Sequence, residues 1–307
     1  MTESTPTKAA DPALDGPADT LEPPPARIHG WRAAWRELVK APLTGKIGLV
    51  IVLVYIFTAI FAPVLAPYGE TEVVGKQFQQ WSSAHPLGTD NLGRDVLTRM
   101  IYGARNTVGV TFLTTCLTFV IGAATGLLAA AVGGWTDQML SRIVDVLMAI
   151  PLLIFALLLL TIFGTSIPML VLIVAVLEST RVFRLTRAVG MNIVVMDYVE
   201  VAKLRGEGLG WVMGREVLPN ILSPLFAEFG LRFCFIFLLI SALSFLGLGL
   251  QPPTADWGSM VRENAILITF GDFTPLLPAA AIAVLTIAVN LIVDWFLHKT
   301  SGLRDDH

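Results

Sequence analysis

Six apolar stretches, each about as long as a membrane-crossing helix, constrain the fold of this chain more than any other feature. They cover residues 47–67, 107–132, 140–163, 167–187, 222–249 and 275–297. Because a helix needs about 20 mostly apolar residues to cross the hydrocarbon core of a bilayer, we predict an all-α integral membrane protein with six transmembrane helices. The fourth stretch is the least apolar, since Glu178 and Arg181 interrupt it, and its lower half is expected within protein or near the interface. Gly122 and Gly126 in the second stretch form a G-x3-G pattern that permits close helix approach.

The composition agrees with a membrane protein and excludes several other classes. Of the 307 residues, 54% are hydrophobic and 15% are charged, against about 25% charged in soluble domains. Cys116 and Cys234 each lie in an apolar run, where a thiol behaves as a small hydrophobic group, so neither a disulfide framework nor a metal site is expected. The net charge of -3 gives no indication of nucleic-acid binding. The sequence also has no Gly-x4-Gly-Lys-[Ser/Thr] phosphate-binding loop, so any ATP that drives this protein is bound by another subunit.

The N-terminal region differs in character from the apolar stretches. Residues 1–26 are rich in Pro, Ala, Thr and Asp, which predicts a disordered tail, and they lack the apolar region of a signal peptide. In residues 27–46, Trp31, Trp35 and Leu38 share one helical side. This pattern predicts an amphipathic helix at the cytoplasmic membrane interface, with a soluble partner-binding helix as the alternative.

The distribution of basic residues predicts the orientation. Under the six-helix scheme, most of the 21 Lys and Arg residues lie on the side of the termini and of the 188–221 loop, so the positive-inside rule places that side in the cytoplasm, with the 298–307 tail. The cations expected on the other side are Lys76, Arg94, Arg99, Arg105 and Arg262. The segment 94–105 strains this scheme, although Asp90 and Asp95 partly offset its charge. A re-entrant or interfacial helix is the alternative for that segment.

The loop between the fourth and fifth stretches begins with a polar segment that predicts a short helix. Asp197 is suited to cap the start of this helix, and Glu200, three residues on, completes a capping box. Val199, Ala202 and the stem of Lys203 fall on one side of the helix. We therefore predict a helix with one packed side, exposed to the cytoplasm.

Glycines after this helix predict a flexible elbow. Gly206, Gly208 and Gly210 are expected to interrupt the helix, because glycine loses more conformational freedom in a helix than other residues do. A second short helix is expected to begin at Trp211 and to end at Pro219. The predicted order is therefore helix, elbow and helix.

The spacing in this loop resembles the cytoplasmic loop by which permease subunits of ABC importers dock their ATPase. The family pattern is Glu-Ala-Ala, three residues, Gly, nine residues, Ile, one residue, Leu-Pro, and it differs here at Val201 and Glu216. The resemblance implies a docking loop that includes Asp197, Tyr198, Glu200, Ala202, Lys203, Gly206, Leu218 and Pro219. An ordinary amphipathic hairpin is the alternative.

Two further segments, residues 85–109 and 244–260, resemble signature segments of the C-type permease subunit of dipeptide and oligopeptide importers. They read HPLGTDNLGRDVLTRMIYGARNTVG and SFLGLGLQPPTADWGSM. The residues that carry this resemblance are Gly88, Asp90, Gly93, Arg94, Asp95, Trp257 and Gly258. They are expected either to fold an external cap or to contact a substrate-binding protein.

Side-chain spacing adds expectations for these segments and for the membrane interior. Asp95 and Arg99, four residues apart, are expected to pair on a helix surface, and Trp257 is expected to be an interfacial anchor. Glu228 and Arg232 are one helical turn apart and are expected to form an intramembrane ion pair, with a pore-lining role as the sharper hypothesis.

The family resemblance implies a type I ABC importer permease architecture in a bacterial inner membrane. Residues 47–67 would form the first transmembrane helix, 68–106 an external loop, and 107–297 the transmembrane domain with five helices. The implied partners are a homologous second permease, two ATPase subunits that bind ATP and Mg, an external substrate-binding protein and the lipid bilayer. The chain itself would be a transport subunit without an ATPase site. Short peptides are the expected cargo, with nickel, glutathione or opines as alternatives, and an ATP-independent secondary transporter is a further alternative, although no internal repeat supports it.

Overall fold

The computed structural model describes residues 41–300, except the side chains of residues 299 and 300. The predicted tail of residues 1–26 and most of the predicted interfacial helix lie outside this part of the chain. So do residues 301–307 of the predicted C-terminal tail. The last helix ends at Thr300 and so includes the first three residues of the segment expected to be a tail.

Helices account for nearly all regular structure between residues 41 and 300. They are α1 (Leu43–Leu65), α2 (Val96–Val132), α3 (Gly134–Ala149), α4 (Leu152–Phe163), α5 (Ile167–Val194), α6 (Asp197–Leu204), α7 (Leu209–Phe245), α8 (Trp257–Asn264) and α9 (Leu276–Thr300). A π-helical turn, Val212–Val217, lies within α7, and a 3₁₀ helix, Ala265–Phe270, continues α8. Two isolated β-bridges, but no strands, occur in the described range. The all-α prediction is therefore confirmed for this range.

Among residues 41–300, four helices are long and apolar enough to cross a membrane, namely α1, α2, α7 and α9. The third predicted stretch is not a single straight helix. It is covered by α3 and α4, which are bent by 91° relative to each other and together can form at most one broken membrane span. Ile150, which is extended, and Pro151 separate the two helices; proline disfavours helical geometry in the residue before it. Helix α5 has 28 residues, or about 42 Å, but the charges in its second half make it too polar for the same criterion.

The helices pack around three main apolar clusters. One joins α4, α5 and α7 around Leu160, Val174 and Ile240, all fully buried. A second lies where α6 meets α2, α5 and α7, and a third lies where α8 meets α1, α2, α7 and α9. Helix α1, by contrast, is mostly exposed on its apolar surface, as expected for a helix in contact with lipid. The second and third clusters hold the two sets of residues that the sequence singles out.

Small residues let α2 and α5 pack along much of their length. A Cβ atom on Gly122 would lie 2.6 Å from the Cβ of Val182 and 2.7 Å from the carbonyl oxygen of Ser179. A Cβ atom on Gly126 would lie 2.8 Å from the carbonyl oxygen of Phe183. The predicted close approach at the G-x3-G pattern is confirmed, and α5 is the helix that makes it.

This contact predicts the outcome of alanine substitution along α2. Gly122→Ala is expected to lower stability by about 1–3 kcal/mol, because the new methyl group must push α5 away. Gly109→Ala is the matched control on the same helix, since nothing lies within 4 Å of the Cβ position at Gly109. The difference in melting temperature is measured by heating each variant in detergent and following the loss of folded protein by size-exclusion chromatography. Equal melting temperatures for the two variants would contradict the packing described here.

Candidate functional site

Helix α6, the first helix of the 188–221 loop, begins without the predicted capping box. Met196 occupies the cap position, and its carbonyl oxygen accepts hydrogen bonds from the N–H groups of Val199 and Glu200 at 2.9 and 3.2 Å. Asp197 is the first helical residue, so the helix starts one residue earlier than predicted. The capping-box prediction is wrong because Met196 has no side-chain oxygen. Asp197 and Glu200 lie in the first turn instead, where their negative charges interact favourably with the helix dipole.

The packed side of α6 is the one predicted. Val199 and Ala202 are fully buried, in the cluster that also holds Val182 of α5 and Ile221 of α7. Lys203 is exposed and does not share this packed side. Because apolar side chains hold α6 against two long helices, α6 is attached to the helical bundle and is not a free loop.

The glycine elbow after α6 has a defined geometry. Gly206 has a φ of +82°, and its N–H donates to the carbonyl oxygen of Lys203 at 3.0 Å, while the N–H of Glu207 donates to that of Ala202 at 3.2 Å. These two hydrogen bonds form a Schellman motif, in which a left-handed residue ends the helix. Gly208 is the cap of α7, so the interruption predicted at Gly206 and Gly208 is confirmed. The prediction is wrong for Gly210, which is helical, because α7 begins at Leu209 and not at Trp211.

The second helix of the loop does not end at Pro219. Helix α7 runs unbroken from Leu209 to Phe245, through the π-helical turn and into the long apolar segment. Leu218 and Pro219 are the first residues of the α-helical segment that follows the π-helical turn. Proline is tolerated at the first positions of an α-helical segment, because its fixed φ suits a helix and its missing N–H group removes no hydrogen bond within that segment. The predicted end at Pro219 is therefore wrong, since proline is tolerated at this position.

The exposed side of α6 carries an apolar stripe that sequence analysis missed. Tyr198, Val201 and Leu204 follow one another at intervals of three residues and are 42%, 50% and 81% exposed. We call these three residues the α6 stripe. Asp197 and Lys203 flank it and are exposed. The spacing was present in the sequence, but Val201 was considered only as a departure from the family pattern.

The two signature segments meet in a structure that we call the cap, formed by residues 68–95 and α8. At its centre, Asp90 lies 2.7 Å from Arg94 and 3.3 Å from Arg99, and Glu263 of α8 lies 3.3 and 3.4 Å from the same two guanidinium groups. Asp90 and Arg99 are each 1% exposed. The two guanidinium groups and the two carboxylates neutralise one another, and such pairing is what makes buried charges tolerable.

The predicted pair of Asp95 and Arg99 is wrong. Asp95 caps α2 by accepting a 2.8 Å hydrogen bond from the N–H of Thr98, and its other oxygen lies 3.2 Å from Nδ1 of His85. Arg99 turns instead toward Asp90 and Glu263. The basic segment 94–105 is thus the cap end of α2, and two of its three arginines are neutralised within the protein.

Trp257 is a core residue and not the predicted interfacial anchor. It is 2% exposed, its ring meets those of Tyr55 and Phe237 edge to face, and its Nε1 donates a 3.0 Å hydrogen bond to the carbonyl oxygen of Met100. Gly258 packs against α7, where a Cβ atom would lie 2.9 Å from the Cβ of Ser244.

The other signature residues complete the cap. Gly88 and Gly93 have φ values of +74° and +77°, so each forms a turn that favours glycine. Asp256 caps α8 by accepting a 2.8 Å hydrogen bond from the N–H of Ser259, and it also accepts one from the hydroxyl of Thr107 at 2.9 Å. Burial raises the pKa of the Asp256 carboxyl, while these hydrogen bonds oppose the rise.

The predicted ion pair of Glu228 and Arg232 is confirmed, and a third residue belongs to it. Arg232 Nε lies 2.6 Å from Glu228 Oε1, and its Nη1 donates a 3.3 Å hydrogen bond to Oε2 of Glu178 on α5. The sequence could not show this contact because Glu178 is 54 residues away along the chain.

Helices α3 and α5 are joined by two further ion pairs. Asp145 pairs with Arg184 at 2.7 Å, and Asp137 pairs with Arg187. No group of three His, Cys, Asp or Glu side chains suited to a metal ion occurs among residues 41–300. The candidate site consists of the α6 stripe, the cap and the ion pairs among α3, α5 and α7.

Two family descriptions match this chain. Residues 122–299 match the binding-protein-dependent transport system inner membrane component, and residues 30–86 match the N-terminal TM domain of oligopeptide transport permease C. The first match includes the 188–221 loop and the charge contacts of α5 and α7.

Individual relatives extend over most of the chain. The dipeptide transport system permease protein of Alkalihalophilus pseudofirmus is 33% identical over 289 residues, which is 92% of each chain. The dipeptide transport system permease protein of Escherichia coli is 38% identical over 266 residues, 84% of this chain and 86% of that protein. The glutathione transport system permease protein of Pectobacterium atrosepticum is 32% identical over 277 residues, 90% of this chain and 89% of that protein.

Solved structures also match this chain. One of them is described as the crystal structure of an amino acid ABC transporter with histidines, and it matches with a TM-score of 0.50 and 21% identity. The match covers 66% of this chain and 94% of that one. At this identity the similarity concerns the helical fold alone.

Proposed function

Since the chain belongs to the family of binding-protein-dependent transport system inner membrane components, we propose that it forms half of a translocation pathway for short peptides and couples it to ATP hydrolysis on partner subunits. The observation that carries the coupling role is the α6 stripe, three exposed apolar side chains on a helix whose other side is fully packed against α5 and α7. Exposed apolar side chains grouped in this way mark a protein contact.

In this proposal the 188–221 loop transmits movement. The partner ATPase binds ATP, and its closure supplies the energy. The residues of this chain perform the mechanical part: Tyr198, Val201 and Leu204 bind the ATPase surface, while Val199 and Ala202 pass the displacement to α5 and α7. The pathway then alternates between two states, each favoured by a different set of bound partners.

The proposed topology has six membrane crossings and both termini in the cytoplasm of a bacterial cell. Helices α1, α2, α7 and α9 supply four crossings, the bent pair α3 and α4 a fifth, and α5 a sixth. The polarity of α5 is compatible with a crossing, because Glu178 is buried against Arg232 and two of its arginines are paired with α3. The domain boundaries given above, with the transmembrane domain at 107–297, follow this scheme.

The proposed assembly contains a homologous second permease, two ATPase subunits and an external substrate-binding protein. Short peptides are the proposed cargo because the relatives from Alkalihalophilus and Escherichia, which are 33% and 38% identical to this chain, are described as dipeptide permeases. Glutathione, itself a peptide, is a second candidate, supported by the relative from Pectobacterium.

The docking role is tested by placing a charge in the α6 stripe. Leu204→Glu is expected to reduce copurification of the ATPase subunit by at least about tenfold, since burying a leucine contributes about 2 kcal/mol and a carboxylate there is costly to desolvate. Leu92→Glu is the matched control, because Leu92 is also exposed, at 52%, but lies in the cap. Equal ATPase recovery with both variants would refute the assignment.

Labelling distinguishes the two faces of the membrane. Leu204→Cys is expected to react with an impermeant maleimide only after the membrane is opened, whereas Leu92→Cys is expected to react in intact spheroplasts. The native Cys116 and Cys234 lie within α2 and α7 and serve as the background. Labelling of Leu204→Cys in intact spheroplasts would overturn the topology.

A further inference from the structure

We propose that Glu228 and Arg181 form a binding site for the two charged ends of a short peptide within the translocation pathway. This inference rests on the proposed function and names a point of cargo contact within it. Glu228 would receive the peptide α-ammonium group, and Arg181 the terminal carboxylate.

The charge contacts around Arg232 leave these two groups incompletely paired. Arg232 is 7% exposed and Glu178 is 2% exposed, so this pair is internal to the packing of α5 against α7. Glu228 has to share Arg232 with Glu178, and 19% of its side chain remains accessible. Arg181 is exposed, and it makes no ion pair with any residue in the described range. Arg181 is three residues beyond Glu178 on α5, and Glu228 is four residues before Arg232 on α7. The contact between Glu178 and Arg232 therefore brings α5 and α7 together beside Arg181 and Glu228. A negative and a positive charge therefore lie near each other without direct contact.

Their depth shows that the accessible side of these residues does not face lipid. Arg181 and Glu228 lie about 20–25 Å along α5 and α7 from the ends Ile167 and Phe245. The hydrocarbon core is about 30 Å thick, so both charges lie within it in the proposed topology. An ionised side chain at this depth faces protein or water, because exposure to lipid costs several kcal/mol. The surface that carries Glu228 and Arg181 consequently lines either the water-filled pathway or a subunit contact.

The pathway is favoured because the two charges complement the cargo. Every short linear peptide has one ammonium and one carboxylate end, whatever its side chains are. A site that binds only these ends accepts peptides of many sequences, and charged hydrogen bonds in a dry environment are stronger than neutral ones. Glu228 and Arg181 carry opposite charges, lie near each other and do not neutralise each other. They can therefore bind the two oppositely charged ends of one peptide.

Peptide uptake by the complete complex tests this site. Proteoliposomes would contain this chain, the second permease and both ATPase subunits, with saturating binding protein loaded with radiolabelled dialanine. Glu228→Gln and Arg181→Gln are each expected to reduce uptake about tenfold, the effect of one lost charged hydrogen bond, while ATP hydrolysis stimulated by the loaded binding protein continues unchanged. Glu228→Asp, which keeps the charge, is expected to recover most of the uptake.

Arg105→Gln is the control, since Arg105 is an exposed arginine of α2 and belongs to none of the ion pairs described above. Its uptake is expected to equal that of the wild type. Unchanged uptake in both Glu228→Gln and Arg181→Gln would overturn the inference. So would loss of the second permease from the purified Arg181→Gln complex, which would assign these charges to a subunit interface. A wild-type complex that shows no ATP hydrolysis in response to loaded binding protein would instead refute the proposed function, and the inference with it.

Discussion

Replacing Arg99 by leucine is expected to destabilise the protein by about 3–5 kcal/mol, which corresponds to a melting temperature lower by roughly 10 °C. Arg99 is 1% exposed and faces the carboxylates of Asp90 and Glu263. Removing its charge leaves two buried carboxylates to share only Arg94. Leucine preserves much of the apolar volume, so the loss reports on charge more than on packing. Thermal unfolding in detergent measures it.

Arg105→Leu is the control for this experiment, because Arg105 is on the same helix and is exposed. Its melting temperature is expected to match that of the wild type. The double variant Arg99→Leu with Glu263→Gln should recover part of the lost stability, since it also removes an unpaired charge. If Arg99→Leu melts at the wild-type temperature, the four charges of the cap do not stabilise it.

Trp257→Ala is expected to cost about 3–5 kcal/mol, the usual range for a large aromatic side chain removed from a core. The ring fills the space between Tyr55 and Phe237, and its Nε1 bonds to the backbone of α2. Trp257→Phe keeps most of the contact area but removes the hydrogen bond that Nε1 donates to the carbonyl oxygen of Met100, so an intermediate loss of about 1–2 kcal/mol is expected.

The matched control is Trp135→Ala, because Trp135 is 76% exposed on α3. Size-exclusion profiles after heating report on all three variants without depending on tryptophan fluorescence. If Trp257→Ala were as stable as Trp135→Ala, Trp257 would be the interfacial residue that its sequence context indicated.

The sequence predicted the features that depend on local composition. The apolar helices follow from the length of each apolar stretch, and the break at Gly206 follows from glycine's access to left-handed backbone geometry. Val199 and Ala202 were correctly placed on the packed side of α6. In each case the physical cause lies within a few residues of its effect.

Features that depend on distant residues were missed or wrong. Asp95 was expected to bind Arg99, but a carboxylate at the start of a helix is better used to cap it, and Asp90 supplies the charge instead. Trp257 was assigned to the interface because it closely follows the end of the fifth apolar stretch, whereas its neighbours in space are aromatic. The ends of helices also depend on context, since Pro219 was expected to end a helix that in fact continues.

The continuity of α7 has a mechanical consequence. Its 37 residues make a continuous helix about 55 Å long that begins in the 188–221 loop. If the helix had ended at Pro219, a displacement of the loop would be taken up by a flexible connection and would not reach the rest of the helix. In the proposed mechanism, a tilt of this continuous helix by about 10° would move one end by about 10 Å relative to the other, which is enough to open or close a passage the width of a peptide.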